Sequence, residues 1–184
     1  MAKPAVIEVV AEPLKLDLGC GQTARDGFLG VDIRQLDGVK VCHDLEQYPW
    51  PWADESVECV YSSHYIEHVS DLIPFMEELH RILVPGGTAH IIAPYWANVR
   101  CWQDPTHKQA ISESSFLYFN KGWREQNQLQ HYDITADFDF SYSWAMAPEW
   151  QLRSDEARAF AIKYYVNVVN DIHVYLTKRS PEVV

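Results

Sequence analysis

A chain of 184 residues with 47% hydrophobic and 22% charged residues has the size and composition of one globular domain with a sizeable core. Its formal net charge of −11, with Lys and Arg scattered, argues against a non-specific nucleic-acid binder, which needs a basic face to displace counterions. No stretch approaches the ~20 apolar residues of a membrane span. No apolar leader opens the chain, and Cys20, Cys42, Cys59 and Cys101 form no C-x-x-C pair, so reduced core thiols and a cytoplasmic protein are expected.

Short apolar, β-branched runs predict strands at Leu14–Leu18, Phe28–Asp32, Val39–His43, Ser56–Ser62 and Thr88–Ala93, of the kind buried on both faces of a parallel sheet. Leu72, Phe75, Met76, Leu79, Ile82 and Leu83 repeat at helical spacing, which predicts a helix from Asp71 to Leu83 with Ser70 as N-cap and Pro85-Gly86-Gly87 as its stop. Strand, helix and strand form a right-handed βαβ unit. Phe138, Phe140, Tyr142, Trp144 and Met146 then alternate as one long half-buried strand. Ser154-Asp155-Glu156 opens a helix whose inner face is expected to hold Ala157, Ala161, Tyr164 and Tyr165. Ile172, Val174 and Leu176 alternate in a last strand. The expectation is a single domain over residues 1–184, with residues 1–13 as an N-terminal extension and a parallel α/β sheet finished by a hairpin-like strand pair.

The first strand runs into LDLGCG, a Gly-x-Gly turn preceded by Asp17. Asp32 ends the second strand, where a carboxylate accepts ribose hydroxyls, and Asp44 follows the third. Three acids at the carboxyl ends of successive strands line the crevice where open α/β sheets bind ligands. A dinucleotide fits poorly. Residues 22–30 leave no room for a normal helix between Gly21 and Val31, the third glycine of G-x-G-x-x-G is absent, and Asp17 repels phosphate. The preferred ligand carries ribose, adenine and an ammonium group, without phosphate.

In order along residues 14–95, LDLGCG, GVDIR, HDLE, YSSHYIEHV and RILVPGGTAHIIAPY resemble the successive motifs of class I S-adenosylmethionine-dependent methyltransferases. The short connection before GVDI resembles a compact subgroup with a degenerate first helix. The resemblance implies a Rossmann-like three-layer sandwich around a mainly parallel seven-stranded sheet whose last strand is antiparallel. It also implies that Asp17 and the turn Gly19, Cys20 and Gly21 hold the methionine part of S-adenosylmethionine, that Asp32 holds the ribose, that Asp44 with Leu45 meets the adenine, and that Ile33 is a further cofactor-binding residue. Ser62, Ser63 and His64 are expected beside the sulfonium.

The segment Tyr95–Phe116 follows the fifth strand and is expected on the cofactor side, within an acceptor-side loop and helix over residues 95–125. There Trp96, Trp102, Asp104 and His107 are expected to wall one pocket, and Asp104-Pro105-Thr106-His107 resembles a D-P-T-H segment of small methyltransferases. His107 is the candidate general base with Asp104 orienting it; the competing reading has Asp104 capping the turn and His107 packing the loop. His64 and His68, four apart, would share a helix face as metal ligands do, but no third ligand is evident and no metal is expected. Trp123, Tyr132, Trp144 and Trp150 are assigned to the core by default.

The expected activity is methyl transfer to a small-molecule or sugar-like acceptor, by a monomer or homodimer with no membrane contact. The alternatives are an RNA or protein methyltransferase recruited by a partner, and a non-catalytic subunit that binds an adenosyl ligand. SSHY after the fourth strand, in place of N/D-P-P-Y, argues against methylation of DNA bases.

Overall fold

The computed structural model describes residues 14–180; the N-terminal extension over residues 1–13 lies outside them. Seven strands form one sheet: β1 Leu14–Leu18, β2 Leu29–Asp32, β3 Val41–Cys42, β4 Val57–Ser63, β5 Leu83–Pro94, β6 Phe138–Met146 and β7 Val169–Lys178, in the order β3-β2-β1-β4-β5-β7-β6. The pairs from β3 through β5 are parallel, and β7 is antiparallel to both β5 and β6. Chain order reverses at β1, whose neighbours are β2 and β4, so the crevice at the carboxyl ends of β1 and β4 is the topological switch point.

The two sheet faces differ. One cross-strand row, Leu16–Val60–Ala89–Leu176, is buried throughout and belongs to the main core with Phe75, Met76, Leu79 and Ile82 of helix α1 (Leu72–Ile82). In the adjacent row, Asp17–Tyr61–His90–Tyr175, Tyr61 and His90 are half-buried and Tyr175 is exposed. The strands are therefore not buried on both faces as their apolar composition suggested. The reason lies in the connections: no helix is found between β1 and β2, β2 and β3, or β3 and β4 among the described residues. The β1–β2 loop supplies part of the cover, with the Arg25 guanidinium 4.5 Å from the Tyr61 ring centre.

Helix α1 begins one residue later than its apolar period suggested. Asp71, not Ser70, is its N-cap, with the Asp71 carboxylate accepting from Ile73 N. Nor does Pro85-Gly86-Gly87 stop it: α1 ends at Ile82, and β5 carries the triplet within its length through an irregularity in the β4 register, with Gly86 at φ +78. One cation ties α1 to the β3–β4 connection. Arg81 donates to Glu78, Asp54 and the carbonyls of Trp50 and Trp52, at 2.7–3.1 Å. Trp50, 2% exposed, in turn donates its indole N–H to Leu45 O at 3.0 Å, which fixes the loop beyond β3.

Beyond β5 the chain forms helix α2 (Val99–Gln103), a 3-10 turn (Glu113–Phe119) and helix α3 (Lys121–Gln126). Helices α4 (Pro148–Gln151) and α5 (Asp155–Tyr164) join β6 to β7. Ser154 caps α5 as expected, accepting from Ala157 N, but of the four residues assigned to its inner face only Ala161 is fully buried. Tyr164 and Tyr165 are exposed, because α5 meets the rest of the protein on a narrow stripe. No helix among the described residues is long and apolar enough to cross a membrane.

The assignment of the α1 cap is checked by thermal unfolding. Asp71→Ala is expected to cost ~1 kcal/mol, a fall in Tm of roughly 2–4 °C for a chain of this size. Ser70→Ala is expected to stay within ~0.5 kcal/mol of wild type.

Candidate active site

The Gly-x-Gly turn is held by β2 where a helix N-terminus is absent. Gly19 N and Cys20 N both donate to Val31 O, at 2.9 and 3.1 Å, and Gly21 N donates to Asp32 Oδ2 at 3.0 Å. The second Asp32 oxygen accepts from Arg34 N at 3.0 Å. Gly19 and Gly21 have φ of +70 and +59, a region that disfavours side chains. At Gly19 the lack of a side chain is also a packing requirement, since a Cβ there would lie 2.5 Å from the Tyr65 ring.

Two hollows flank this turn. The larger, about 470 Å³, is lined by Gly19, Gly21, Asp32, Ile33, Asp44 and Leu45, with His64, Tyr65 and His68 on the far side. Asp44 Oδ1 accepts from Glu46 N, which closes the turn after β3 and sets the carboxylate at the rim. The smaller, about 330 Å³, lies between Asp17, Cys20, Arg25, Tyr61 and Ser63. Asp17 is 4% exposed; its Oδ2 accepts from Arg25 N at 2.7 Å, and burial pushes its carboxyl above the usual range, partly offset by that bond and the Arg25 charge.

A third hollow of about 200 Å³ shares His64 and His68 with the first and adds Glu67, Arg100, Asp104 and His107. His64 sits at φ +54 where β4 ends, and its Nδ1 lies 3.3 Å from Glu67 Oε1, a carboxylate that raises the imidazole pKa above its ordinary value. Glu67 also anchors the acceptor-side loop through its backbone, its carbonyl accepting from Lys108 N and Gln109 N. Asp104 accepts from the Thr106 N–H and hydroxyl at 2.8 and 2.7 Å, while its other oxygen is 3.9 Å from His107 Nε2. Those contacts hold Asp104 below the usual carboxylate range. The cap of the Pro105 turn, foreseen as the plainer reading of Asp104, is thus present. The expected Asp104–His107 couple stands beyond hydrogen-bond distance.

Three other sequence expectations change. Ser62 lines none of these hollows: it is fully buried and donates to Leu18 O at 3.0 Å, bracing the β1–β4 seam, while Ser63 reaches the smaller hollow. The alternation of a strand sends neighbouring side chains to opposite faces. Trp96 and Trp102 do not join Asp104 and His107 in one pocket; their side chains are exposed and flank a separate hollow with Ser112 and Glu113. His64 and His68 do not share a helix face, because His64 precedes the short 3-10 turn Ile66–His68. Sequence reasoning passed over Arg25, Tyr61 and Tyr65. Arg25 had a signal, being the one cation between Gly21 and Gly27; the tyrosines had none beyond adjacency to predicted site residues.

Residues 16–91 match the family model of a methyltransferase domain. The demethylmenaquinone methyltransferase of Chlorobaculum parvum is 31% identical over 48% of this chain and 44% of that protein. Its counterpart from Chlorobaculum tepidum is 30% identical over 48% and 43%. The match thus spans less than half the length of these curated relatives. Among solved structures, a SAM dependent methyltransferase from Archaeoglobus fulgidus aligns with TM-score 0.58 over 90% of this chain and 86% of that one, at 18% identity. The geranyl diphosphate C-methyltransferase of Streptomyces coelicolor, solved with Mg2+, geranyl diphosphate and S-adenosyl-L-homocysteine, aligns with TM-score 0.55 over 92% and 72%, also at 18% identity. These likenesses show a shared fold.

The buried Asp17 carboxylate penalises folding in its charged form. Its raised pKa makes the folded state the better proton binder, so the stability the proton brings is present at acid pH and lost as pH rises through the folded value. Asp17→Asn is therefore expected to melt above wild type at pH 7, with the gap closing as pH falls toward and below 3.8, the carboxyl's ordinary pKa. Melting curves across that range check the sign.

Proposed function

We propose that this chain, whose residues 16–91 match the model of a methyltransferase domain, is a class I S-adenosylmethionine-dependent methyltransferase that transfers the methyl group of that cofactor to a small-molecule acceptor. The observation that carries this reading is the charge pattern on the two sides of Gly19. Asp17 and Arg25 stand together in the smaller hollow, a carboxylate and a guanidinium complementary to the ammonium and carboxylate of an amino acid. Asp32 and Asp44 stand in the larger one, acceptors suited to ribose hydroxyls and an adenine amino group. A phosphate beside the Gly-x-Gly turn would face the carboxylates of Asp17 and Asp32.

The residues fit the cofactor without rearrangement of the turn. A carboxylate oxygen has two lone pairs, so Asp32 retains acceptor capacity after binding Gly21 N and Arg34 N. Ile33, 61% exposed, offers an apolar surface at the mouth of the cleft, and the Leu45 backbone is fixed there by Trp50. Gly19 lines both hollows, so a ligand reaching from one to the other crosses its backbone. Cys20, Ser63 and His64 surround that passage. When bound, S-adenosylmethionine supplies an electrophilic methyl group on a sulfonium. The chain's own contribution is orientation, which can lower such a barrier by ~7–11 kcal/mol. The acceptor belongs in the hollow of Glu67, Asp104 and His107, next to the cofactor cleft through the shared His64 and His68.

Methylation of a macromolecule recruited by a protein partner is the second reading. It draws on Val99, Trp102, Phe160 and Val166, large apolar side chains exposed on the segments around the acceptor side. Labelled methyl groups recovered in the metabolite fraction favour the first reading, and label in RNA or protein the second.

Calorimetric titration of the full chain tests the cofactor assignment. Wild type is expected to bind S-adenosylhomocysteine and not NADH. Asp32→Ala should weaken S-adenosylhomocysteine and 5′-methylthioadenosine alike, by roughly ten- to a hundredfold for the loss of ~1.5–3 kcal/mol of charge-assisted hydrogen bonding. Arg25→Met should weaken only S-adenosylhomocysteine, because 5′-methylthioadenosine lacks the amino-acid part. Wild-type protein that binds neither adenosyl ligand would overturn the proposal. Once an acceptor is in hand, His107→Ala is expected to reduce turnover more than cofactor affinity, as measured by kinetics and titration together.

A further inference from the structure

Glu67 is 1% exposed, yet neither of its carboxylate oxygens meets a hydrogen-bond donor among the described residues. A carboxylate taken out of water without hydrogen bonds is costly, and a cation is the usual compensation. His64 Nδ1 lies 3.3 Å from Glu67 Oε1, on one side only. Beyond it, Glu67 meets His68 and His107, and one ligand atom from each of the three lies within 4.8 Å of the others. The third ligand that spacing along the chain did not reveal comes from the acceptor-side loop.

The hydrogen bonds of the two imidazoles decide their tautomers. His107 Nδ1 is 2.9 Å from Cys101 O, and a carbonyl only accepts, so Nδ1 carries the proton and Nε2 keeps its lone pair. His68 Nδ1 is 3.0 Å from Thr106 Oγ1, whose own proton goes to Asp104 Oδ1 at 2.7 Å. His68 Nδ1 is therefore also the donor, and its Nε2 is also bare. Metal-binding histidines are held in this way, by an outer partner on the nitrogen that does not ligate. Asp104 then acts through Thr106 on His68.

We propose that Glu67, His68 and His107 bind a divalent transition-metal cation of the zinc type. Two imidazoles and one carboxylate form the donor set of open catalytic zinc sites and of non-haem iron sites. A tetrahedral ion with bonds of ~2.0–2.2 Å holds its ligands about 3.4 Å apart, so ligand atoms now within 4.8 Å of one another have to draw closer around a bound ion. Arg100, the nearby cation in the same hollow, is already matched by both oxygens of Asp171 at 3.0 Å. The remaining coordination positions open into the acceptor hollow and suit an oxygen of the acceptor. That last role rests on the methyl-transfer reading; the cation site does not.

The test is a titration of full-length, chelator-stripped protein with Co2+, followed by its visible spectrum, with Zn2+ as competitor and S-adenosylhomocysteine binding as the control for folding. One equivalent of Co2+ is expected, displaced by Zn2+. Glu67→Gln and His107→Ala should each weaken it at least about tenfold, and Thr106→Val, which removes no ligand, by about tenfold. All three should bind S-adenosylhomocysteine within about twofold of wild type. Wild type that takes up no Co2+, or whose uptake is indifferent to both Glu67→Gln and His107→Ala, overturns the site. Should Glu67→Gln fail to fold, Thr106→Val still decides, through a Co2+ spectrum that a merely structural threonine would leave unchanged. Co2+ uptake without S-adenosylhomocysteine binding would sink the methyl-transfer reading and leave the cation site standing.

Discussion

The turn between β1 and β2 has to satisfy its backbone amides without a helix, and the crevice depends on how it does so. Val31 O takes two of them and the Asp32 carboxylate a third, so the second strand holds the glycine turn by hydrogen bonds running sideways. With the amides turned toward β2, the turn does not present the anion site that a helix N-terminus makes. Carboxylates can then stand around it. The same arrangement leaves Asp32 both a structural clamp and an acceptor, and the two roles are compatible because each oxygen spends only part of its capacity.

Loss of the early helices has a second effect, on the sheet. The row through Leu16 and Val60 lies under α1, while the row through Tyr61, His90 and Tyr175 is left partly open. Arg25 belongs to both stories. Its backbone N–H binds Asp17, and its guanidinium lies over Tyr61, closing the smaller hollow and covering sheet surface at once. The acceptor side is held differently, by an irregular segment pinned through main-chain bonds. The Glu67 carbonyl receives Lys108 and Gln109, and Trp96 N donates to Ile111 O. Pinning at both ends brings His107 to Glu67, residues forty positions apart in the chain.

Much of the fold was legible because strands and helices declare themselves through short-range periodicity. The alternation Phe138 to Met146 became β6 with the same bounds, and the sheet has the seven strands and antiparallel last strand that the family resemblance implied. Boundaries failed where a local stop signal competed with pairing. Pro85-Gly86-Gly87 reads as a terminator, yet β4 and β7 offer β5 partners on both sides and the triplet is absorbed as an irregularity.

What the sequence determined by itself is the acidic crevice: Asp17, Gly19, Gly21, Asp32 and Asp44 sit at strand ends, and a strand's end is set within a few residues. Which neighbours face it was decided by tertiary structure. Ser62 turns inward and Ser63 outward by the register of β4. Trp96 and Trp102 part company with His107 because the loop folds back on Glu67. That His107 joins the adjacent Glu67 and His68 has no trace in local pattern, since it is brought there by a long-range main-chain contact, and spacing along a chain carries no information about such contacts.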